Sequence, residues 1–509
     1  MKKIVGIAFL FTFFSCADAP KEPIVIDIEE LTIEKIHQAY QNGEYNSQQL
    51  VQAYLERIEQ LDSSVNAITY INPDALSVAR ELDKSMDGDF ESKPLYGIPI
   101  IVKDNINVIG MPTTAGSRAL LNYYPEEDAF IIRKLKEAGA IILAKSNMAE
   151  WAFSPMHSES TTSGTTRNPY NLNYVPAGSS GGTAASVALN MGAVGLGTDT
   201  GNSIRGPSSH CSLVGLRTTL GLISRSGIVP LMLRNDVVGP MCRTVEDATR
   251  VMEVMVGYDP TDSITGYSEG KTVGNYRQFL VENGLEGARI GVLRQIMDDK
   301  TDPEIEDLFN NALGDLSALG AVVVDPIQIP NFTELSEDQW CSEFKQDVET
   351  FLQQYVRSDS LQTIEDIIQV GTSSEFAERW LKNYANDKGR WGASEAECLD
   401  AYRDSRRIAF RTAIRSVMDS LELDAIVYPT WNNRPAKLDR FEEEYKGDNN
   451  QKISPHTGQP AFTVPMGFLT DNLPAGIQFL GRMYDEATLI RLAYGYEQGT
   501  FHRKIPELD

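Results

Sequence analysis

Residues 176–207 read PAGSSGGTAASVALNMGAVGLGTDTGNSIRGP, and the rest of the chain is organised around them. The stretch opens with a Gly/Ser loop at 178–182, followed by apolar runs that predict a helix at 183–191 and a buried strand at 193–196. A second loop at 198–203 carries another serine. Small residues let backbone N–H groups approach a ligand, and successive N–H groups in a turn form an anion-binding concavity. We therefore expect the two serine-bearing loops to meet at one site.

One interpretation of the first loop is a nucleophile elbow of the pattern G-x-S-x-G, in which Ser180 attacks as in an α/β-hydrolase. Such an elbow requires a strand directly before it. The preceding residues, 168–177, read NPYNLNYVPA and contain Pro169 and Pro176, which are poor strand formers. A five-residue pattern is also frequent by chance in a chain with 39 glycines. An esterase that uses Ser180 is therefore the less favoured alternative.

The same stretch resembles the sequence pattern of the amidase signature family. Residues 177–182 read AGSSGG and residues 199–207 read DTGNSIRGP, close to the family patterns G-G-S-S-G-G and D-x-G-G-S-[IV]-R-x-P. A third element, G-x-P-x-x-x-K-D, matches residues 97–104, GIPIIVKD. The resemblance covers most of the chain and is weakest in the middle. It implies an α/β fold with a large mixed β-sheet core that is covered by helices on both faces.

The resemblance also implies a catalytic triad of two serines and one lysine. A serine hydroxyl is a weak nucleophile and must lose its proton as it attacks. Ser203 stands at the position of the family's nucleophile. In the family, a residue placed like Ser179 follows a cis peptide bond from a residue placed like Gly178, and it relays the proton. Lys103 stands at the position of the base that receives this proton.

Lys103 follows an apolar run at 95–102, LYGIPIIV, which predicts a buried strand that ends at this lysine. A free lysine titrates near ~10.4, about three units too high for a base at neutral pH. Burial beside apolar strands disfavours the charged ammonium and lowers its pKa. A lone lysine in such a turn would be interpreted as a solvated side chain, and the motif changes that interpretation to a neutral, buried base.

The second loop is expected to supply an oxyanion hole made of backbone N–H groups. Its implied members are Thr200, Gly201, Asn202 and Ser203. The family usually has glycine where Asn202 stands. Asparagine tolerates left-handed backbone better than most residues, so the hole is expected to survive, with the side chain narrowing the cleft or contacting the acyl group. Asp199 and Arg205 are predicted to form a buried ion pair that fixes the loop, in preference to contacting substrate, because buried charges need partners.

The first 16 residues have the pattern of a bacterial lipoprotein signal peptide. Two lysines precede an apolar core at 4–14, which is too short for a membrane span. Ser15 and Cys16 resemble the end of a lipobox, where the cysteine is lipidated, and cleavage without lipidation is the alternative. Either way, we expect export to a bacterial cell envelope, with residues 17–30 as a polar tether and 31–500 as the amidase domain.

Composition excludes several classes of partner and cofactor. With 46 basic and 71 acidic residues the formal charge is −25, which argues against nucleic acid and against electrostatic attachment to anionic lipid. No C-x-x-C motif or Cys/His cluster occurs, so neither a metal site nor a cofactor is predicted.

His210 is interpreted as structural because the lysine motif already supplies a base. The cysteines after Cys16 are expected mainly as buried small hydrophobes, although some could pair in an oxidising compartment. They are Cys211, Cys242, Cys341 and Cys398.

Outside the motifs, hydrophobic periodicity predicts most of the remaining elements. Residues 30–61 predict two helices that are separated at Gly43, with Ser47 capping the second. Residues 331–419 are predicted to be mostly helical, with aromatic residues at core spacings. In the family this region covers the acyl side of the cleft, so we expect substrate choice to depend on it.

The sequence thus predicts an exported amidase that hydrolyses a C–N amide bond through an acyl-serine intermediate. The candidate substrates are C-terminal peptide amides, fatty acyl amides and aryl amides, and the oligomeric state stays open. The role that some relatives have in transfer-RNA amidation is disfavoured, because those relatives act in the cytosol and this chain carries an export signal. A surface lipoprotein that binds amides or peptides without turnover is the alternative from another class. Binding alone does not require Lys103, Ser179 and Ser203 together, which argues against it.

Overall fold

The computed structural model describes residues 25–508 except 87, 338, 342 and 387–397. The predicted signal peptide, Cys16 and the first part of the predicted tether therefore lie outside the described residues. Within the described part of the chain, no helix is both long enough and apolar enough to cross a membrane.

A large mixed β-sheet forms the centre of the molecule. The strands of the described residues are β1 Ile68–Ile71, β2 Pro99–Lys103, β3 Ile141–Ser146, β4 Glu159–Ser160, β5 Gly164–Thr165, β6 Val194–Asp199, β7 Val214–Arg217, β8 Val237–Cys242, β9 Arg289–Val292, β10 Val322–Val324, β11 Ala425–Pro429, β12 Ala461–Phe468 and β13 Pro474–Leu480. Eleven of them form one sheet in the order β1-β3-β2-β6-β8-β7-β12-β13-β11-β9-β10, and β4 pairs with β5 separately.

Helices surround this sheet. Those of the described residues are α1 Ile33–Asn42, α2 Ser47–Val65, α3 Ala75–Lys84, α4 Phe130–Glu137, α5 Gly181–Ala188, α6 Arg205–His210, α7 Val245–Met255, α8 Pro303–Ala318, α9 Phe332–Ser336, α10 Phe344–Phe351, α11 Ile364–Val370, α12 Glu375–Asn386, α13 Ser405–Ser420, α14 Phe441–Glu444, α15 Ser454–Thr457 and α16 Glu486–Thr500. Every residue of β2, β3 and β6 is buried, so both faces of the central strands are covered. The structure thus confirms the predicted fold class.

The strand order explains why the two serine-bearing loops meet. β2 and β6 are parallel neighbours, with Ile100 opposite Val194 and Val102 opposite Leu196. Their carboxyl ends therefore lie side by side at one edge of the sheet. Helix α5, which begins within the first loop at Gly181, packs against both strands. This packing places the end of β2, the start of α5 and the end of β6 at one point.

Three local boundaries differ from the sequence prediction. β2 begins at Pro99, four residues later than predicted, because the chain turns at Gly97, where φ is +70°. Helix α5 spans Gly181–Ala188 and ends before Asn190, which adopts left-handed backbone with φ of +58°. The cap of α2 is Asn46, whose side chain accepts from the N–H of Gln49, and not Ser47, which is the first helical residue.

A second hydrophobic cluster lies beside the main core and is built largely from α10, α11 and α12. Phe344, Phe351 and Tyr384 belong to it and are buried. The cluster also contains Trp151 and Met232, which belong to the segments that follow β3 and precede β8. Helices α10, α11 and α12 thus pack as a separate layer against the segments that follow β3 and precede β8.

Candidate active site

Lys103 is the last residue of β2 and its side chain is completely buried. Its Nζ donates hydrogen bonds to Ser179 Oγ at 2.7 Å and to Thr198 Oγ1 at 2.9 Å. Ser179 belongs to the first loop and Thr198 to the end of β6, so one amine joins both loops. The side-chain amide of Asn105 also donates to Thr198 Oγ1, at 3.1 Å. Asn105 and Thr198 thereby fix the position of the amine.

Burial lowers the pKa of Lys103 from its ordinary value to about 7, although the negative charges of Asp199 and Asp236 act in the opposite direction. A charged ammonium loses its hydration in this interior, and the neutral amine is favoured instead. This pKa lies close to neutral pH, where the uncharged form of Lys103 is populated. A neutral amine has a free lone pair and is able to accept a proton.

Ser179 lies in a tightly enclosed part of the first loop. The peptide bond between Gly178 and Ser179 is cis, as the family resemblance implies. A Cβ atom on Gly178 would lie 2.3 Å from the carbonyl oxygen of His157 and 2.4 Å from that of Ser154, so a side chain cannot be accommodated there. The carbonyl oxygen of Ser179 accepts from the N–H of Ala149 at 3.0 Å. These contacts hold the Ser179 hydroxyl against Lys103.

Ser180, the nucleophile of the alternative interpretation, occupies a different environment. Its hydroxyl is fully buried and donates to the carbonyl oxygen of Thr198 at 3.3 Å. The residues before it form loop rather than strand, so the strand-turn-helix geometry of a nucleophile elbow is not present at this position. Ser180 therefore acts in packing the start of α5 against β6.

The loop that carries Ser203 is anchored by a buried charge cluster. Asp199 accepts from Arg205 at 3.0 Å and from Arg217 at 2.8 Å, and all three side chains are fully buried. Burial alone would raise the pKa of Asp199, but the two guanidinium groups lower it to about 2. The ion pair with Arg205 confirms the interpretation that these charges fix the loop.

Arg205 also orients the peptide groups of the predicted oxyanion hole. One of its N–H groups donates to the carbonyl oxygen of Gly201 at 2.6 Å. Because the C=O and N–H of a trans peptide point in opposite directions, the N–H of Asn202 points away from Arg205. Among the described residues, the N–H groups of Thr200, Gly201, Asn202 and Ser203 have no protein acceptor. All four predicted donors thus remain unpaired, as an oxyanion hole requires.

A cavity of about 490 Å³ opens in front of this loop. Of the three serines discussed above, Ser203 is the one that lines it, whereas Ser179 and Ser180 are completely buried. The walls are mainly apolar and aromatic. They include Phe153, Met156, Leu231, Met232, Trp340, Phe376, Trp380, Tyr384 and Tyr445. A substrate carbonyl carbon in this cavity can therefore reach Ser203.

Several supporting residues were missed by the sequence analysis because they come from distant segments. The Thr200 hydroxyl donates to Asp236 Oδ1 at 2.5 Å, which ties the oxyanion loop to the start of β8. Trp340 and Gln451 lie against Gly201, since a Cβ atom placed there would be 3.3 Å and 3.1 Å from them. Thr198, which also contacts Lys103, is different, because it directly precedes the Asp199 motif in the sequence. Its position was therefore a signal from which this contact could have been predicted.

A disulfide bond joins Cys341, which lines the cavity, to Cys398. This pair follows the alternative that the sequence analysis left open, that some cysteines pair, whereas Cys211 and Cys242 are buried free thiols, as mainly expected. The two bonded cysteines are 57 residues apart, so hydrophobicity and spacing gave no signal for the pairing. The bond ties the cavity wall next to Trp340 to the chain that leads into α13.

His210 is structural, as the sequence analysis interpreted it, and the acidic Glu150 is held by structural hydrogen bonds as well. His210 is 3% exposed and stacks on Trp431 at 4.8 Å, and it makes no hydrogen bond to Ser203. Glu150 accepts from the hydroxyls of Thr161 and Thr372 at 2.6 and 2.8 Å. Among the described residues, no group of three or more His, Cys, Asp and Glu side chains is arranged to hold a metal ion.

A buried amine beside a serine hydroxyl, next to a loop of free backbone donors, has the groups that a hydrolase acting through a serine requires. The family model described as Amidase matches residues 49–490. The chain therefore belongs to the amidase signature family and is an amidase.

Individual relatives support this membership over nearly the whole chain. A probable amidase of Arabidopsis thaliana is 34% identical over 94% of this chain and 92% of its own length. A glutamyl-tRNA(Gln) amidotransferase subunit of Alkaliphilus metalliredigens is 33% identical over 92% of this chain and 96% of its own. Among solved structures, the native peptide amidase of Stenotrophomonas maltophilia is similar with a TM-score of 0.83 and 33% identity, over 94% of this chain and 99% of its own.

Proposed function

We propose that the protein hydrolyses linear amides, with Ser203 as nucleophile, Ser179 as proton relay and Lys103 as base. The observation that carries the proposal is the 2.7 Å contact between the buried Lys103 amine and the Ser179 hydroxyl. The lowered pKa of this amine, about 7, supports its role as a base.

The reaction would start from neutral Lys103. Its lone pair accepts the proton of Ser179 while the Ser179 oxygen accepts the proton of Ser203, and the Ser203 oxygen bonds to the amide carbon. The carbonyl oxygen becomes an anion that the loop N–H groups receive. The proton then returns along the same route to the amide nitrogen as the C–N bond breaks, and the amine or ammonia leaves. Water, deprotonated through the same relay, releases the acid from Ser203.

The oxyanion loop would supply a large share of the rate. Its donors are fixed before the reaction by Arg205 through the Gly201 carbonyl and by Asp236 through the Thr200 hydroxyl. Preorganised donors need no reorientation as charge develops, and the loss of one typically costs about 3 kcal/mol of transition-state stabilisation.

Peptide amides are the proposed substrate class, in preference to fatty acyl and aryl amides. The likeness to the Stenotrophomonas maltophilia peptide amidase supports this choice. The cavity volume lies within the range of sites for small organic ligands, and its aromatic walls suit an apolar amino-acid side chain.

A hydrolysis panel tests the proposed activity. It compares N-acetyl-L-phenylalaninamide, oleamide and 4-nitroacetanilide, with the Lys103→Ala protein as the blank. We expect the highest kcat/KM on the peptide amide. A higher value on either other amide would overturn the substrate assignment, and equal rates in the Lys103→Ala protein would overturn the proposed mechanism.

We further propose that the chain is an exported bacterial lipoprotein, attached to a membrane only through Cys16. The predicted signal peptide supports this, and so does the Cys341–Cys398 disulfide, because such bonds persist in oxidising compartments. Export also disfavours a role in an amidotransferase complex, despite the similarity to the subunits of such complexes.

The intact mass of the protein tests this proposal. When the protein is produced in a bacterial host, the mass should correspond to a chain that begins at a diacylated Cys16. A Cys16→Ser protein should lose the lipid mass, and an unprocessed N-terminus in the wild type would contradict export.

A further inference from the structure

Two side chains of opposite charge lie at the open end of the cavity. Among the described residues that line it, the charged ones are Arg379, from α12, and Glu442, from α14. Their side chains are 51% and 50% exposed, whereas Ser203 is only 5% exposed. The cavity therefore has an enclosed catalytic end, at the oxyanion loop, and an exposed end that carries both charges.

The two side chains form an ion pair that leaves part of Glu442 free. Arg379 Nη2 donates to Glu442 Oε1 at 2.7 Å, and the guanidinium lies over the ring of Phe376, 5.2 Å from its centroid. Within the part of the chain that the structure describes, Glu442 Oε2 makes no hydrogen bond. Both oxygens of a carboxylate are acceptors. One oxygen is therefore held by Arg379, and the other is able to accept from a ligand.

A peptide amide with its scissile carbonyl at Ser203 extends toward this exposed end. A sphere with the volume of the cavity is about 10 Å across, which is the length of about three extended residues. An N-terminal ammonium needs water or a partner, because an unpaired charge among apolar walls is costly. We therefore expect the N-terminus of a dipeptide or tripeptide amide to lie beside Arg379 and Glu442.

The chemistry of such a substrate selects Glu442 as its contact in preference to Arg379. In a peptide amide the C-terminal carboxylate is replaced by the amide, so the one charge of an unblocked backbone is the N-terminal ammonium. An ammonium only donates hydrogen bonds, and those that it makes to a carboxylate are among the strong ones. A fatty acyl or simple aryl acyl group has no charge to place there.

We propose that Glu442 binds the N-terminal ammonium of dipeptide and tripeptide amides, which makes it a specificity-determining residue. This inference rests on the proposed function, and it names short peptide amides with a free N-terminus as the substrates within the proposed class.

Substrates that differ only in the ammonium group test the proposal. Glycyl-L-phenylalaninamide carries it and N-acetyl-L-phenylalaninamide does not, and glycylglycyl-L-phenylalaninamide and N-acetylglycyl-L-phenylalaninamide form the same pair one residue longer. The measured quantity is the ratio of kcat/KM, glycyl to acetyl, within each pair. It is measured at pH 7, where an N-terminal amine with a pKa of about 7.7–8.0 is mostly protonated. Because the scissile residue is the same, general effects on catalysis cancel in the ratio.

We expect Glu442→Gln to lower the ratio about three- to five-fold in at least one pair, the size expected for an ion pair at a half-exposed site. Arg379→Gln breaks the same ion pair but removes a positive charge that repels the ammonium, so it should raise the ratio. Glu443→Gln is the matched control. Glu443 is the exposed neighbour of Glu442, it does not line the cavity, and its substitution changes the net charge equally. Its ratio should equal that of the wild type.

Thermal unfolding midpoints check that each variant is folded. A change of less than two-fold in both pairs in Glu442→Gln would overturn this inference, and so would a wild type that hydrolyses the acetyl amides and not the glycyl amides. A fall in Arg379→Gln as well would show that the ion pair is only structural, and an equal fall in Glu443→Gln would show a general effect of net charge. In each case continued hydrolysis of N-acetyl-L-phenylalaninamide leaves the proposed function intact. A wild type that hydrolyses none of the four amides would contradict the proposed function and this inference together.

Discussion

Ser203→Ala is expected to lower kcat for amide hydrolysis by about 10⁴-fold or more, because it removes the nucleophile while the oxyanion loop remains. The hydroxyl contributes little to the fold, since Ser203 lies at the cavity surface and the loop is anchored by Asp199 and its two arginines. The variant should therefore be folded and inactive. Steady-state hydrolysis of N-acetyl-L-phenylalaninamide and labelling by a fluorophosphonate probe measure the loss.

Ser180→Ala is the matched control. It removes a buried hydroxyl from the same site but leaves the Lys103–Ser179 contact in place. We expect a loss of stability of about 1 kcal/mol, from the hydrogen bond to the Thr198 carbonyl, and activity within about ten-fold of wild type. Labelling should disappear in Ser203→Ala and persist in Ser180→Ala. The reverse pattern would mean that Ser180 is the nucleophile and that the triad assignment is wrong.

The sequence alone predicted those parts of the candidate active site that are built from residues contiguous in the chain. The motif around Lys103 and the two loops each span fewer than about ten residues, and the parallel pairing of β2 with β6 brings them together. The match to the lysine motif, and not the apolar run alone, predicted that the Lys103 amine is buried, and the structure confirms this. The catalytic roles themselves stay predictions, which the serine and lysine variants test.

Contacts between distant segments were not predictable from one sequence. Asp236 reaches Thr200 across 36 residues, and Cys341 pairs with Cys398 across 57. Such contacts depend on how whole layers pack, and no local pattern encodes the partner of a given side chain. The same limit applies to the cavity, whose walls come from segments between residues 152 and 451. The shape of the cavity is therefore a property of the folded protein that the motifs do not encode.

Activity should depend on pH with a single ionisation near the pKa of Lys103, about 7. The neutral amine is the active form, so kcat/KM should fall about ten-fold for each pH unit below this value and level off about one unit above it. An ordinary lysine, with its pKa near ~10.4, would place the same transition in strongly alkaline solution. The pH profile of kcat/KM on a neutral amide substrate measures this, since the substrate itself does not titrate.

The variants Lys103→Arg and Lys103→Met test whether the Lys103 amine acts as the catalytic base or only as a structural hydrogen-bond donor. Arginine remains charged and cannot accept a proton, and methionine fills the space without a nitrogen, so both variants should lose about 10³-fold or more in kcat.

The stability of the protein should also depend on pH, because the folded state binds fewer protons at Lys103 than the unfolded chain does between about pH 7 and pH 10. The stability of the wild type relative to Lys103→Met should therefore rise with pH across that window, as measured by urea unfolding at several pH values. A flat stability difference would show that the amine stays charged in the folded protein, and a kcat/KM profile that stays level down to pH 5 would show that the rate does not depend on an ionisation near pH 7. Either result would contradict the proposed base.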